Sequence, residues 1–264
     1  MIIFIGLGLN PTNISLKGLE AAKNSDKIYG DLNTGTLLND ELRYFEEKID
    51  RSVEKMPEAD IGEKETQLLK EAKEKDIALL IPGDPMIGTS HSKLRITAAQ
   101  KNIETKIIHG ASIESAAGET GLSLHNFGRS AFLSMPNKAY FVIAGDQKTA
   151  YETLKENKES GLHTLLLLDI RTDKKEYLSP GKAISYLLML EKHINEGALS
   201  EKTIILSLSR AGTPEVRIIG HRAEKIKEMD FGRPPYSLII PGELTDRESK
   251  GLKEFAEIPE NILK

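Results

Sequence analysis

Short apolar runs separated by longer stretches of helical period are the feature that most constrains the fold of this chain. The runs Ile2–Gly6 and Ile77–Ile81 are continuously apolar, as expected of strands in a parallel sheet that is covered on both faces. Ser15 can cap a helix after the first run, and a helical period over Lys64–Glu74 precedes the second. This alternation predicts an α/β fold in which helices connect successive strands.

Strand-like runs become more frequent from about Ala111 onward, and this change of pattern predicts a boundary between two domains. Residues 1–110 would form a domain with a mostly parallel sheet, and residues 111–264 a domain with a mixed sheet. Five runs predict the strands of the second sheet: Ala131–Met135, Thr164–Ile170, Thr203–Ser209, Val216–Gly220 and Tyr236–Ile240. Helices are expected at about Ala150–Lys158, Pro180–Asn195 and Asp246–Glu257. We therefore predict two α/β domains that meet at a cleft.

Charge and composition exclude several classes of function. The 36 basic and 40 acidic residues are dispersed along the chain, so no basic tract is present to neutralise nucleic-acid phosphates. The absence of Cys excludes disulfides, iron–sulfur clusters, thiolate zinc sites and cysteine nucleophiles, and it fits a reducing compartment. No run approaches the roughly 18 apolar residues of a membrane span. We expect a cytoplasmic protein that contacts neither nucleic acid nor membrane directly.

Known catalytic signatures are also missing. The histidines lack a metal-binding spacing such as H-E-x-x-H, so no metal is predicted. Neither a G-x-S-x-G elbow nor a G-x-x-x-x-G-K-[ST] loop occurs, which disfavours a serine hydrolase and a P-loop nucleotide hydrolase.

In open α/β sheets, ligands bind beyond the carboxyl ends of the strands, so segments that follow predicted strands are the candidate sites. The first is Gly6-Leu7-Gly8-Leu9-Asn10, where glycines allow the backbone to approach a ligand closely. It resembles a dinucleotide-binding loop, but Pro11 stands where the third glycine of G-x-G-x-x-G would be. A purely structural turn is the alternative interpretation of this segment.

Two further segments follow predicted strands. Pro82-Gly83-Asp84-Pro85 is either a tight turn in which Asp84 bonds to its own backbone, or a rigid loop that presents Asp84 to a cation or a hydroxyl. A sulfonium or an ammonium group is such a cation. In Gly110-Ala111-Ser112-Ile113 a strand ends and Ser112 stands at the start of a helix, where an N-cap is ordinary.

Several segments together carry more information than any one of them. They are FIGLGL at 4–9, IPGDPMIGTSH at 81–91, HGASIESAAGETGL at 109–122, FGRSA at 127–131, GLHTLLLLDI at 161–170, SRAGT at 209–213 and FGRPPYSLIIPG at 231–242. In this order they resemble the diphthine synthases, a branch of the tetrapyrrole methylase superfamily. The G-D-P loop is common to the superfamily, whereas GLHTLLLLDI and SRAG distinguish this branch. Corrin and sirohaem methyltransferases usually carry G-x-G-P-G-D near the N-terminus, from which Leu9-Asn10-Pro11-Thr12 departs.

The resemblance implies a homodimeric N-methyltransferase that binds S-adenosylmethionine in the cleft between its domains. Its substrate would be elongation factor 2, in which the amino group of a modified histidine becomes trimethylated. The implied cofactor contacts are Leu9, Asp84, Ile87, Ser112, Ile113, Leu168, Ala211 and Tyr236. The last of these positions is usually His in the family and is Tyr here. The resemblance assigns no catalytic side chain, because in-line attack of an amine on a sulfonium methyl depends mainly on positioning.

Three alternatives stay open from the sequence. The nearest is a methyltransferase that acts on a corrin or porphyrin precursor, which would need a broad apolar cleft and arginines that bind carboxylates. A dinucleotide-dependent oxidoreductase is weakened by the incomplete glycine pattern. A nucleotide-binding module without catalysis would bind the cofactor without turnover.

Overall fold

A computed structural model describes residues 1–31, 39–56, 67–88, 91–135, 145–171 and 176–263. The chain divides into two compact units, one ending at Ile113 and the other starting at Glu114. This division lies close to the boundary that the sequence predicts near Gly110. Among the described residues, each unit has a five-stranded sheet of its own.

The described strands of the first unit all pair in parallel. Its strands are β1 (Ile2–Gly6), β2 (Lys27–Gly30), β3 (Glu54–Lys55), β4 (Ile77–Ile81) and β5 (Thr105–Ile108). They are arranged in the order β3-β2-β4-β1-β5, so that β1 lies between β4 and β5. The helices are α1 (Leu16–Asn24), α2 (Asn39–Ile49), α3 (His91–Gln100) and α4 (Ile113–Ala116), the last of which extends into the second unit.

The continuous apolar character of β1 follows from burial on both faces. Ile2 and Phe4 belong to one core cluster, and Ile3 and Ile5 belong to another. Successive side chains of a strand point to opposite faces, so a strand covered on both sides must be apolar throughout. The prediction of a parallel sheet covered on both faces is therefore confirmed.

Other expectations for this unit are met in part. Ser15 caps α1 by accepting a hydrogen bond from the Gly18 amide at 3.1 Å. Residues 67–71 of the expected helix Lys64–Glu74 are helical, whereas residues 64–66 lie outside the described residues. The short edge strand β3 and the helix α2 were not predicted from the sequence.

The second unit has a mixed sheet. Its strands are β6 (Ala131–Leu133), β7 (Thr164–Leu168), β10 (Ile204–Ser209), β11 (Arg217–Arg222) and β12 (Tyr236–Ile240), in the order β11-β10-β12-β7-β6. Among the described strands of this sheet, β6 and β7 pair in parallel and the other neighbours pair antiparallel. A separate hairpin of β8 (Ile170–Arg171) and β9 (Glu176–Tyr177) was not predicted. The helices are α5 (Asp146–Glu159), α6 (Pro180–Ile194), α7 (Ala223–Ile226) and α8 (Asp246–Phe255).

A buried carboxylate organises the start of α8. Thr245 and Glu248 form a capping box, in which the Thr245 hydroxyl accepts from the Glu248 amide and Oε2 of Glu248 accepts from the Thr245 amide at 3.0 Å. The other oxygen, Oε1, accepts from the Ser123 amide at 3.0 Å and from Asn126 Nδ2 at 2.9 Å. One side chain thus joins the start of α8 to a segment that is distant in sequence.

His163 completes this network. The ring is fully buried, and Nε2 lies 2.9 Å from Oε1 of Glu248. Because Nδ1 accepts a hydrogen bond from the Gly242 amide at 2.9 Å, the proton of the ring is on Nε2 and is donated to Glu248. Burial tends to raise the pKa of the Glu248 carboxyl, but the hydrogen bonds from His163, Thr245 and Ser123 outweigh burial and lower that pKa well below its ordinary value.

We expect Glu248→Gln to lower the free energy of unfolding by about 3 kcal/mol at neutral pH, because an amide places its NH2 group against hydrogen-bond donors. Since the folded-state pKa of Glu248 is depressed, its stabilising contribution is complete above the ordinary glutamate pKa of 4.5 and is lost as pH falls below it. The difference between the wild type and the variant should therefore narrow below pH 4.5. Urea unfolding at several pH values measures this. Glu254→Gln, an exposed position on the same helix, is the control and should change stability little; equal losses in both variants would contradict the expectation.

Candidate functional site

The carboxyl ends of three adjacent strands in the first unit bring together the segments that sequence analysis selected. Strands β4, β1 and β5 are neighbours and run in parallel, so the loops that follow them leave the sheet at the same edge. These loops begin after Ile81, Gly6 and Ile108, respectively. The three candidate segments therefore lie at one edge of this sheet.

Glycines allow the backbones of these loops to touch. Gly8 and Gly83 exchange hydrogen bonds of 3.1 and 2.8 Å between their backbone groups, and both have a left-handed φ, of 75° and 73°. A Cβ on Gly110 would lie 2.5 Å from the carbonyl oxygen of Gly83, and one on Gly6 would lie 2.6 Å from the Gly110 nitrogen. The close approach that these glycines permit is thus an approach to the protein's own backbone.

The Asp84 side chain holds two of the loops in place. Its Oδ1 accepts from the Met86 amide at 2.8 Å, which is the local turn predicted as one interpretation of this segment. Its Oδ2 accepts from the Gly110 amide at 3.2 Å and lies 2.8 Å from Nδ1 of His109. Asp84 is only 5% exposed, so its carboxylate is directed at protein groups from the β4 and β5 loops.

The other candidate residues of this unit lie in the same three loops as Asp84 and its partners. Leu9 follows Gly8 and is half-buried, as are Ile87 in the β4 loop and Ile113 at the first residue of α4. Ser112 is buried and directly precedes α4, at the position expected of an N-cap residue. The edge therefore presents apolar residues that are only partly covered, next to the exposed residues Gly88 and Ala111.

The three candidates of the second unit also lie at one edge of their sheet. Leu168 ends β7, Ala211 follows the end of β10, and Tyr236 begins β12. Because β12 runs antiparallel to both neighbours, its start lies beside their ends, with Tyr236 opposite Ser209 and Ser237 opposite Leu167. The structure brings these three residues together within the unit, while their role as cofactor contacts stays a prediction.

Backbone and side-chain bonds fix this second edge. The Arg210 amide donates to the carbonyl of Pro235 at 3.0 Å, which ties the end of β10 to the segment before β12. Arg210 has a φ of 55°, a left-handed conformation that costs a non-glycine residue about 1 kcal/mol or more. The Tyr236 hydroxyl donates to the carbonyl of Gly232 at 2.7 Å. Burial, together with the nearby Asp230 and Tyr177, raises the pKa of Tyr236.

Sequence reasoning did not single out two histidine–carboxylate pairs at the carboxyl edge of the first sheet. One is the His109–Asp84 pair, and the other joins Nε2 of His91 to Oδ2 of Asp31 at 3.0 Å, where Asp31 follows β2. His91 ends the quoted segment 81–91 and His109 begins the quoted segment 109–122. The carboxylate partner of each is distant in sequence. No group of three potential metal ligands occurs among the described residues, and no described helix is long and apolar enough to cross a membrane.

Residues 1–226 match the family described as Tetrapyrrole (Corrin/Porphyrin) Methylases. The chain belongs to the tetrapyrrole methylase family. Membership confirms the predicted fold class and the prediction of an enzyme that transfers methyl groups. It is compatible both with a corrin or porphyrin precursor and with a protein as the methylated substrate.

Relatives within the family are more specific. The chain is 38% identical over 260 residues to diphthine synthase of Methanocaldococcus jannaschii, covering 97% of this chain and 99% of the relative. It is 38% identical over 265 residues to diphthine synthase of Methanosarcina acetivorans, covering 100% of this chain and 98% of the relative. A crystal structure of diphthine synthase superposes with a TM-score of 0.87 at 32% identity, covering 99% of this chain and 98% of the other. The resemblance to the diphthine synthase branch is confirmed.

A methyl group at Gly110 should disturb the contact between the β4 and β5 loops. We expect Gly110→Ala to lower the free energy of unfolding by about 2 kcal/mol, because the added Cβ meets a backbone oxygen that cannot move freely. Gly118→Ala is a suitable control, since its Cβ would lie 3.6 Å from the Leu124 side chain, an ordinary contact distance. Chemical unfolding of both variants measures the difference. Equal stability of the two variants would show that the loops do not depend on this approach.

Proposed function

We propose that this tetrapyrrole methylase acts as a diphthine synthase. It would use S-adenosylmethionine to trimethylate the amino group of the aminocarboxypropyl-histidine of elongation factor 2, a step of diphthamide biosynthesis. The observation that carries the proposal is that relatives matched over essentially their full length bear this name, at 38% identity. Those relatives favour this function over methylation of a corrin or porphyrin precursor. A cytoplasmic homodimer is part of the proposal, on the resemblance alone.

The residues at the carboxyl edge of the first sheet fit S-adenosylmethionine as the methyl donor. An adenosine and a thioether chain need apolar contact, and Leu9, Ile87 and Ile113 are apolar residues that remain half-buried there. The donor's polar groups need fixed main-chain partners, which the tied β4 and β5 loops can supply. Ser112 adds a hydroxyl next to them. Leu168, Ala211 and Tyr236 stand as proposed contacts from the second unit.

When bound, S-adenosylmethionine supplies a methyl group on a cationic sulfonium. The chain's own contribution is to hold the loops rigid, so that donor and amine meet in line without a further ordering cost. Asp84 acts in this scheme mainly by fixing the β4 loop against Gly110, since both of its oxygens accept hydrogen bonds from the protein. A free alkyl amine is mostly protonated at neutral pH, so the reaction also requires loss of a proton before each transfer.

The decisive experiment is mass spectrometry of elongation factor 2 that bears the aminocarboxypropyl-histidine, after incubation with this protein and S-adenosylmethionine. A gain of three methyl groups on that residue is expected. An unmodified factor, with cofactor binding verified by calorimetry in parallel, would point instead to a corrin or porphyrin substrate. Stabilisation by NAD or NADP in a thermal-shift comparison, with none by S-adenosylmethionine, would point to an oxidoreductase.

Asp84→Ala should weaken binding of S-adenosylmethionine about tenfold or more, because the β4 loop loses its bonds to Met86 and Gly110. Isothermal titration calorimetry measures the dissociation constant. Asp76→Ala is a matched control, since Asp76 precedes the same strand β4 at its opposite end, where it pairs with the N-terminal amine at 3.3 Å. Unchanged affinity in the Asp84 variant would remove that residue from the proposed site.

A further inference from the structure

Histidine–carboxylate pairs differ in this protein by how far the ring is exposed to solvent. The pairs among the described residues are His91–Asp31, His109–Asp84 and His163–Glu248. The side chain of His109 is 72% exposed, compared with 7% for His91 and 0% for His163. A ring that exchanges protons with water must be exposed to water. Exposure therefore separates His109 from His91 and His163.

The geometry of the His109–Asp84 pair fixes the state of the ring. The Asp84 carboxylate is buried, and its oxygens accept from the amides of Met86 and Gly110, so that it acts towards Nδ1 of His109 as an acceptor at 2.8 Å. Nδ1 therefore carries the proton of the neutral ring, and Nε2 presents its lone pair. Nε2 has no hydrogen-bond partner in the part of the chain that the structure describes.

We propose that His109, held by Asp84, accepts the proton that the substrate amine must lose in each methyl transfer. The inference rests on the proposed function and adds a residue to it. His109 directly precedes Gly110, whose amide shares Oδ2 of Asp84 with the ring, and Ser112 follows closely in the same loop. The imidazole is thus part of the edge where the cofactor contacts are proposed. Asp84 is a positioning residue for it.

The proton and electron count of the step balances. The ammonium of the substrate gives one N–H proton to Nε2 of His109, which leaves a lone pair on nitrogen. That pair forms the new bond to the methyl carbon while the bond between carbon and sulfur breaks, and its electrons stay on sulfur. Three such transfers release three protons and leave a trimethylated ammonium that has none. An exposed ring can pass each proton to water before the next transfer.

The two buried pairs do not offer this chemistry. Nδ1 of His163 is occupied by the Gly242 amide, so that ring has no free lone pair. Nδ1 of His91 is buried and has no hydrogen-bond partner among the described residues, so this nitrogen does not face solvent. His109 alone among the three combines an orienting carboxylate with an exposed second nitrogen.

The state of the ring can be tested without turnover. Nitrogen-15 NMR of the protein labelled at histidine, recorded at mildly alkaline pH where free imidazole is neutral, reports which nitrogen carries the proton. The imidazole signals that are absent in the His109→Gln variant are assigned to His109. We expect the proton on Nδ1 in the wild type and a shift towards Nε2 in Asp84→Asn. A wild-type His109 protonated on Nε2 would overturn the proposal.

Kinetics test the role itself. In single-turnover methylation of elongation factor 2 at saturating S-adenosylmethionine, His109→Gln should lower the rate constant about 100-fold or more, the usual contribution of a general base. The dissociation constant of S-adenosylmethionine should change less than about twofold. His125→Gln, an exposed histidine outside the site, is the matched control and should keep the wild-type rate. An unchanged rate in His109→Gln, or weaker cofactor binding with an unchanged saturated rate, would overturn the proposal.

Chemical rescue separates a proton acceptor from a residue that only supports the loop. Added imidazole should restore the rate of His109→Ala in a saturable way, because the exposed position leaves room for the free base, and it should have no effect on the wild type. A folded His109→Ala variant that stays slow at all imidazole concentrations would contradict a role in proton transfer. If the wild type itself adds no methyl groups to elongation factor 2, the proposed function fails and this inference fails with it. If the wild type is active and His109→Gln equals it, only the inference fails.

Discussion

The loops at the carboxyl edge of the first sheet depend on one buried carboxylate. An ionised side chain away from water is stable only when its oxygens are fully hydrogen-bonded. Asp84 meets this requirement with the amides of Met86 and Gly110 and with the ring of His109. These partners come from the loops after β4 and β5. The hydrogen bonds that this one charge requires therefore also fix the relative positions of the two loops. The backbone bonds between Gly8 and Gly83 then add the loop after β1.

Much of the fold could be predicted from the sequence because its central strands are apolar on both faces. The bounds of β1 and β4 agree with the apolar runs Ile2–Gly6 and Ile77–Ile81, since each residue of these runs is buried. Elements at the margins gave no such signal. Strand β3 has only two residues at the sheet edge, and the hairpin of β8 and β9 lies outside the main sheet, so neither imposes a hydrophobic period on its sequence.

The positions of the candidate residues were easier to predict than their contacts. Parallel strands place their carboxyl ends at one edge, which locates Leu9, Asp84 and Ser112 without any knowledge of tertiary contacts. The partners of Asp84 could not be predicted in this way. His109 is 25 residues away from it in sequence, and whether a carboxylate faces a ligand or a neighbouring loop depends on the packing of both loops. The same holds for His91 and Asp31, which the order of strands and helices brings together.

The second sheet shows why the rule of strand ends is incomplete. Tyr236 begins its strand rather than ending it, and it reaches the edge of Leu168 and Ala211 only because β12 runs antiparallel to β7 and β10. In a mixed sheet, an edge is therefore lined by the ends of some strands and the starts of others. Whether a strand runs parallel or antiparallel to its neighbours cannot be deduced from an apolar run, because burial constrains the composition of a strand and not its direction. The left-handed backbone of Arg210 is held there by its bond to Pro235, so conformational strain at this edge depends on the same antiparallel pairing.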